Sequence, residues 1–311
     1  MSKIFIAGAG AFGTALALAI EKPLTLTARD MSSLVDSRIS PKLPGVVLPH
    51  RISLEPAPEI GPDDVLLAVI PMQALARYLA DKPFRPKASI ACCKGIELET
   101  MRGPSAVLHE VLDCPTAVLT GPSFASDISQ GKPTALTLAC ADETIGQELQ
   151  EALTSDTLRL YLSDDPVGAE LGGALKNVIA IACGICMGAG LGESARAALM
   201  TRGMAETTRL SLKLGAKPET LSGLSGFGDL ALTCTSPQSR NFSFGFALGA
   251  GEAPEKGKTV EGRATAEATL QLARKHGIEM PITSVVASLI SEKLTIQDAL
   301  AQLLSRPLTS E

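Results

Sequence analysis

The 311-residue chain has no tryptophan, two tyrosines and three histidines, and only 3 % of it is aromatic. So few flat rings exclude a platform that reads single strands by stacking on their bases. Positive charge is also short. The 28 Lys and Arg residues face 33 Asp and Glu, and the net charge of −5 is a poor match to nucleic-acid phosphates, so no nucleic-acid partner is expected. Uninterrupted runs of ~18 strongly apolar residues, the length of a membrane span, are missing too. The segment from Val178 to Leu191 comes nearest and turns polar soon after Gly188. The apolar run behind Lys3 imitates a secretory leader, but Gly8, Gly10 and Gly13 break it and a second short apolar run follows. The seven cysteines are odd in number and sit mostly among apolar residues, which reads as reduced thiols in a cytoplasmic setting. Cys183 and Cys186 form a single C-x-x-C inside a continuous helical pattern, so helix packing is expected there and no metal site.

Length gives about two domains. Short apolar runs at 3–7, 24–27, 65–69, 88–92, 116–120 and 135–140 read as strands, several apolar enough to be covered on both faces. Helical patterns at 12–21, 72–80, 104–112 and 144–153 alternate with them, which predicts a doubly wound, mainly parallel sheet. After Tyr161 the strand signal stops. Asp165 is a good N-cap and Pro166 suits the first helical position, opening a long helix to about Met187. More helices are expected at 195–214, 242–250, 265–276, 282–292 and 296–304. The expected architecture is α/β, with a Rossmann-type sheet domain over 1–160 and an all-α domain over 161–311. A ligand belongs in the cleft between them.

Gly8-Ala9-Gly10-Ala11-Phe12-Gly13 follows the first strand and opens the first helix, the context that a G-x-G-x-x-G dinucleotide motif requires. Gly8 serves the tight turn, Gly10 a close approach of the pyrophosphate, and Gly13 close packing of helix on strand. The N–H groups of Ala11 and Phe12 then face phosphate oxygens. At the end of the second strand Arg29 precedes Asp30. An Arg there pairs with a 2′-phosphate and an acid with a ribose hydroxyl, so NADP(H) is favoured and NAD(H) is also accommodated. The plainer alternative is an exposed Arg29–Asp30 ion pair.

In the second half Lys176 lies in Gly172-Gly173-Ala174-Leu175-Lys176-Asn177-Val178-Ile179. Gly172 and Gly173 share its helix face and leave room for a flat ring, while apolar surroundings lower a lysine towards the range useful for proton transfer. A lysine snorkelling at a helix surface fits the same pattern. Cys93-Lys94-Gly95-Ile96-Glu97 and Gly121-Pro122-Ser123-Phe124-Ala125 each follow a strand, at the sheet edge where open α/β sheets bind ligands. Gly223-Leu224-Ser225-Gly226-Phe227-Gly228-Asp229-Leu230 reads as a flexible loop whose Asp229 orients an ammonium group. Ser239-Arg240-Asn241 precedes a helix, where an Arg, a hydroxyl and an amide can converge on a phosphate.

Taken in order, these segments with Leu175-Lys176-Asn177-Val178-Ile179-Ala180-Ile181-Ala182, Gly226-Phe227-Gly228-Asp229-Leu230 and Ser236-Pro237-Gln238-Ser239-Arg240-Asn241 closely resemble bacterial NAD(P)-dependent glycerol-3-phosphate dehydrogenase. The resemblance spans nearly the whole chain. It implies reversible reduction of dihydroxyacetone phosphate to sn-glycerol 3-phosphate for phospholipid synthesis. By matching position, Lys176 is its proton acceptor and donor, and Lys94, Gly121, Ser123, Asp229, Ser239, Arg240 and Asn241 bind substrate with it. Ala11, Phe12, Arg29, Lys94, Ala125, Arg240, Thr259 and Glu261 fall on cofactor positions. A homodimer is compatible with this reading. Two departures stand out: the connection Glu21-Lys22-Pro23-Leu24 is short, and Ser194 replaces a frequent Asn. Two other functions share most of these features: a related β-hydroxyacid dehydrogenase, whose substrate has a carboxylate, and a nicotinamide-binding sensor in which Lys176 is dispensable.

Overall fold

Strands made wholly of apolar and small hydroxyl-bearing residues leave no face for water, and in the fold both faces are covered. The computed structural model describes residues 2–304 except Lys256 and Lys258. Its strands are β1 (Ile4–Ala7), β2 (Leu24–Thr27), β3 (Ile52–Leu54), β4 (Val65–Ala68), β5 (Ala88–Ala91), β6 (Thr116–Thr120), β7 (Thr134–Cys140) and β8 (Leu158–Ser163). They form one sheet in the order β3-β2-β1-β4-β5-β6-β7-β8, with only the β6–β7 pair antiparallel. Register puts Ile4 opposite Leu24 on one side and Val65 on the other.

The pleat sorts side chains into two cores. Ile4, Ile6, Val65 and Leu67 point to one face with Leu16, Leu34, Leu149 and Leu153. Phe5, Ala7, Leu66 and Ala68 point to the other with Leu75, Leu79, Val107 and Leu108. The covering helices are α1 (Ala11–Ala19), α2 (Ser32–Ser37), α3 (Leu75–Ala80), α4 (Pro104–Leu112), α5 (Ala125–Ser129) and α6 (Glu143–Leu153). The doubly wound, mainly parallel sheet is therefore as expected. The pattern did not reveal β3, which has three residues, or β8, an edge strand whose Arg159 and Tyr161 face solvent.

The rest of the described chain is helical: α7 (Pro166–Gly188), α8 (Glu193–Lys213), α9 (Pro218–Ser222), α10 (Asp229–Thr235), α11 (Arg240–Gly249), α12 (Glu261–His276), α13 (Pro281–Ile290) and α14 (Ile296–Leu304). Residues 305–311 of the expected helical domain lie outside the described residues. Asp165 starts α7 by accepting the Gly168 N–H at 2.8 Å, and its second oxygen accepts the Lys217 N–H at 2.7 Å. By length and composition α7 could cross a membrane, but 89 % of its apolar window is buried as the axis of the helical domain.

Helix α11 crosses α7 at a stripe of small residues. A Cβ on Gly184 would lie 2.1 Å from the Phe242 carbonyl oxygen, and one on Gly245 would lie 2.2 Å from that of Ile181. Backbone touches backbone at this crossing, so neither helix can move aside cheaply. Cys183 and Cys186 lie in the same stretch as buried free thiols, as helix packing predicts. Gly245→Ala is expected to lower the unfolding free energy by about 1–3 kcal/mol through overpacking. Chemical denaturation of the variant and the wild type checks this.

Candidate active site

The first half of the site is the turn from β1 into α1. Gly8 has φ +121, and a Cβ there would lie 2.3 Å from the Val69 carbonyl oxygen. A Cβ on Gly13 would lie 1.9 Å from the Gly8 carbonyl oxygen, so the helix is seated on the turn only because both residues are glycine. Gly10 differs from both. Nothing lies within 4 Å of where its Cβ would be. It is also the N-cap of α1, with no side-chain cap and no acid in the first turn. The N–H groups of Ala11 and Phe12 thus front an open cradle at the positive end of a helix, which fits a dinucleotide pyrophosphate.

At the end of β2, Asp30 Oδ1 accepts hydrogen bonds from Ser32 N at 3.2 Å and Ser32 Oγ at 2.8 Å. Among the described residues no ion pair joins Arg29 to Asp30, so the plainer alternative for Arg29 fails. Arg29 stands exposed beside the cradle strand.

The second half is built on α7. Lys176 is 8 % exposed, so it does not snorkel. Its Nζ donates to Asp229 Oδ1 at 2.5 Å and to Thr233 Oγ1 at 2.6 Å. The other carboxylate oxygen, Oδ2, accepts from Lys94 Nζ at 2.5 Å, and Lys94 also donates to the Gly121 carbonyl at 3.2 Å. One fully buried carboxylate thus holds two ammonium groups, one from the sheet edge and one from the helical axis. Burial brings Lys176 down to about 8, against the opposing pull of Asp229 and with help from the Lys94 charge. That value suits a group that gives and takes a proton near neutral pH.

Two expectations need correction here. The segment before Asp229 is not a flexible loop: Leu224–Gly228 is a π-helical turn that leads directly into α10. Nor do Gly172 and Gly173 leave a void for a flat ring. The space at Gly172 is taken by the Ser225 carbonyl oxygen, 2.6 Å from a built Cβ, and that at Gly173 by Thr120 Oγ1 at 2.7 Å. These glycines let the π-turn and the sheet edge approach α7, which is what brings Asp229 and Lys94 to Lys176.

The anion end expected at Ser239-Arg240-Asn241 is more occupied than its sequence suggests. Ser239 Oγ caps α11 by accepting the Phe242 N–H at 3.2 Å, keeping only its proton for a ligand. Asn241 donates to Asn177 Oδ1 at 2.9 Å and accepts from Gly262 N at 3.0 Å, so it ties α11 to α7 and α12. Arg240 is half exposed and lies 4.0 Å from Glu261, with exposed Thr259 just before α12. Ser123 donates to the Gly121 carbonyl at 3.2 Å, and Ala125 opens α5.

Sequence reasoning missed Thr233, whose spacing of four from Asp229 puts both on one face of α10. It also missed two buried polar atoms without a hydrogen-bond partner, Thr120 Oγ1 and Asn177 Nδ2. Thr120 lies beside Lys94 across Gly173, and Asn177 follows Lys176. Free polar atoms at such positions suit a polar ligand.

Known proteins resemble this chain over nearly its whole length. The family model described as the N-terminus of NAD-dependent glycerol-3-phosphate dehydrogenase matches residues 3–146, and the model of its C-terminus matches 165–301. The glycerol-3-phosphate dehydrogenase [NAD(P)+] of Cereibacter sphaeroides is 54 % identical over 99 % of this chain and 100 % of its own. That of Paracoccus denitrificans is 53 % identical over 99 % of each. The crystal structure of glycerol-3-phosphate dehydrogenase from Coxiella burnetii superposes with a TM-score of 0.89 at 35 % identity, covering 98 % of this chain and 99 % of its own.

The two kinds of glycine in the first turn separate in experiment. Gly10→Val fills the open cradle and is expected to weaken dinucleotide binding at least about tenfold, or 1.4 kcal/mol, with the thermal midpoint little changed. Gly13→Val collides with the Gly8 carbonyl and lowers the midpoint as well. Fluorescence titration with NADPH and thermal unfolding of each variant check both outcomes.

Proposed function

The chain belongs to the NAD-dependent glycerol-3-phosphate dehydrogenase family and catalyses reversible, NAD(P)H-dependent reduction of dihydroxyacetone phosphate to sn-glycerol 3-phosphate, and we propose that Lys176 is the residue that moves the proton. The observation that carries this is the buried Lys176 ammonium, held 2.5 Å from Asp229. When bound, the nicotinamide supplies or receives the hydride at C2. Reduction places negative charge on the former carbonyl oxygen, and a buried ammonium stabilises that charge and donates the proton. In the reverse direction neutral Lys176 takes the proton from the C2 hydroxyl. Asp229 and Thr233 fix where the lysine head sits, and Lys94 adds a second positive charge on the far side of the carboxylate.

On this reading Gly8, Gly10, Ala11, Phe12 and Gly13 hold the pyrophosphate, and Arg29, Lys94, Ala125, Arg240, Thr259 and Glu261 contact the rest of the dinucleotide. Lys94, Gly121, Ser123, Asp229, Ser239, Arg240 and Asn241 bind substrate, with Asn177 added because its amide donor is free. Arg240 and the neutral donors around it suit a phosphate dianion. The reaction feeds the glycerol backbone of phospholipids. The reading includes a cytoplasmic protein, supported by seven free thiols. It also includes a homodimer, for which edge strand β8 offers an exposed Tyr161 and Leu162.

Two measurements test the assignment. Lys176→Ala is expected to lower kcat by about 10²–10⁴-fold while NADPH still binds. Reduction needs the protonated lysine, so wild-type kcat for dihydroxyacetone phosphate should fall as pH rises through about 8, and oxidation of glycerol 3-phosphate should rise over the same window. Turnover unchanged in the alanine variant removes Lys176 from the chemistry. For the cofactor, Arg29→Ala is expected to raise KM for NADPH about tenfold and leave that for NADH unchanged, since only NADPH has a 2′-phosphate to lose its partner. Parallel initial-rate series with the two cofactors decide it.

A further inference from the structure

Helices α4 and α13 share an odd start. Each begins with proline, Pro104 and Pro281, and neither N-cap, Gly103 or Met280, supplies a side-chain hydrogen bond. In both cases a glutamate from another helix does so. Glu206 on α8 accepts from Ile282 N at 2.6 Å and from Thr283 N at 3.2 Å, within the helical domain. Glu170 on α7 accepts from Ser105 N at 2.5 Å, and this bond crosses to the sheet domain.

The second contact is built into the backbone. A Cβ on Gly103 would lie 2.3 Å from Glu170 Oε2 and 2.9 Å from its carboxyl carbon, so the carboxylate occupies the place where any other N-cap residue would put its side chain. Glu170 lies on the same helix as Lys176. The segment it grips runs back from α4 to Lys94 at the end of β5. The two lysines that share Asp229 are thus joined a second time, through Glu170 and the start of α4.

We propose that Glu170 is a protonation-sensitive clasp between the two domains, a positioning residue that sets Lys94 against Lys176 and loosens when it takes up a proton. A charged acceptor makes a hydrogen bond roughly twice as strong as a neutral one, so the clasp is tight only when Glu170 is ionised. Burial pushes the Glu170 carboxyl up to about 7, against the pull of the Ser105 hydrogen bonds. The groups around it do not reverse this. On the β5 side its titratable neighbour is Cys93, a thiol raised well above its usual value and uncharged at neutral pH, and α4 presents only the uncharged Ser105. Among the described residues no lysine or arginine forms an ion pair with Glu170. The sign follows from the raised value. The folded protein holds this proton between about 4.5 and 7 while the unfolded chain has released it, so the ionised, tight clasp exists only above about pH 7.

The inference rests on Lys176 and Lys94 acting at the site described above, and it fails separately from that reading. The experiment is the pH profile of kcat/KM for dihydroxyacetone phosphate in the full-length enzyme with saturating NADPH. Wild-type enzyme should lose activity below about pH 7. Glu170→Gln keeps a neutral acceptor for Ser105 and should abolish that dependence, flattening the acid limb. Gly103→Ala keeps the charge but displaces the carboxylate, and should lower kcat about tenfold at pH 8 with KM for NADPH unchanged. Glu206→Gln removes the same kind of charge within one domain and should shift the thermal midpoint without altering the profile. Superimposable profiles for Glu170→Gln and wild type overturn the proposal, as does full kcat in Gly103→Ala. Loss of turnover in Lys176→Ala bears only on the proton-transfer role.

Discussion

The molecule is organised around one buried carboxylate with two ammonium partners. Asp229 is fully buried, and each of its oxygens is met at 2.5 Å, by Lys94 on one side and Lys176 on the other. Three charges withdrawn from water are costly, and such a cluster persists only when its geometry is good and the remaining donors have acceptors. Thr233 and the Gly121 carbonyl provide these. The formal charge of the trio is +1, the sign that an anionic substrate and a developing alkoxide call for. Burial lowers the hold of Lys176 on its proton.

Much of the remaining architecture brings these three side chains together. Lys94 comes from the carboxyl end of β5, Lys176 from the middle of α7 and Asp229 from the start of α10. Their convergence needs α7 to run against the sheet edge and the π-turn without side chains in between, and Gly172 and Gly173 meet that need. A π-turn carries one extra residue relative to an α-turn and often marks a functional site. Here it leads straight into α10, whose first residue is the buried Asp229. Glycine in the middle of a helix costs about 1 kcal/mol relative to alanine. At Gly172, Gly184 and on α11 at Gly245, that cost is offset by backbone contacts no larger residue permits, and at Gly173 by the close approach of the Thr120 side chain.

What the sequence made legible follows from how local each signal is. Strands β1 and β4 are apolar on both faces and β2, β5 and β6 add only small hydroxyl-bearing residues, and a run of such residues needs no tertiary knowledge to be read. The glycines at 8, 10 and 13 act within a single turn, so their jobs could be assigned by position alone. Edge strand β8 alternates buried and exposed residues over a short span, and its pairing with β7 is settled by neighbours far away in sequence. The glycines at 172 and 173 show the same limit. Helical spacing correctly put them on the face of Lys176, but only the fold reveals that Ser225 and Thr120 fill the space they leave. Asn241 was legible as a polar residue at a helix start, whereas its partners, Asn177 and Gly262, are on other helices.

An acidic protein that binds two phosphorylated molecules poses an electrostatic question that the overall charge of −5 does not answer. Charges at the surface are screened over ~8 Å at physiological ionic strength, whereas charges under low-dielectric cover are screened far less. Most of the carboxylates in this chain lie on exposed helix and loop positions, as Glu148, Asp164 and Glu193 do, where their field at the cleft is weak. Lys94 and Lys176 sit under cover, within one hydrogen bond of a common centre. A ligand entering between the domains therefore experiences the local +1 more strongly than the distant excess of acid. Distance and burial decide the sign of the potential that a substrate meets, and the carboxylate inside the cleft keeps that potential from becoming so positive that product is held after the proton has moved.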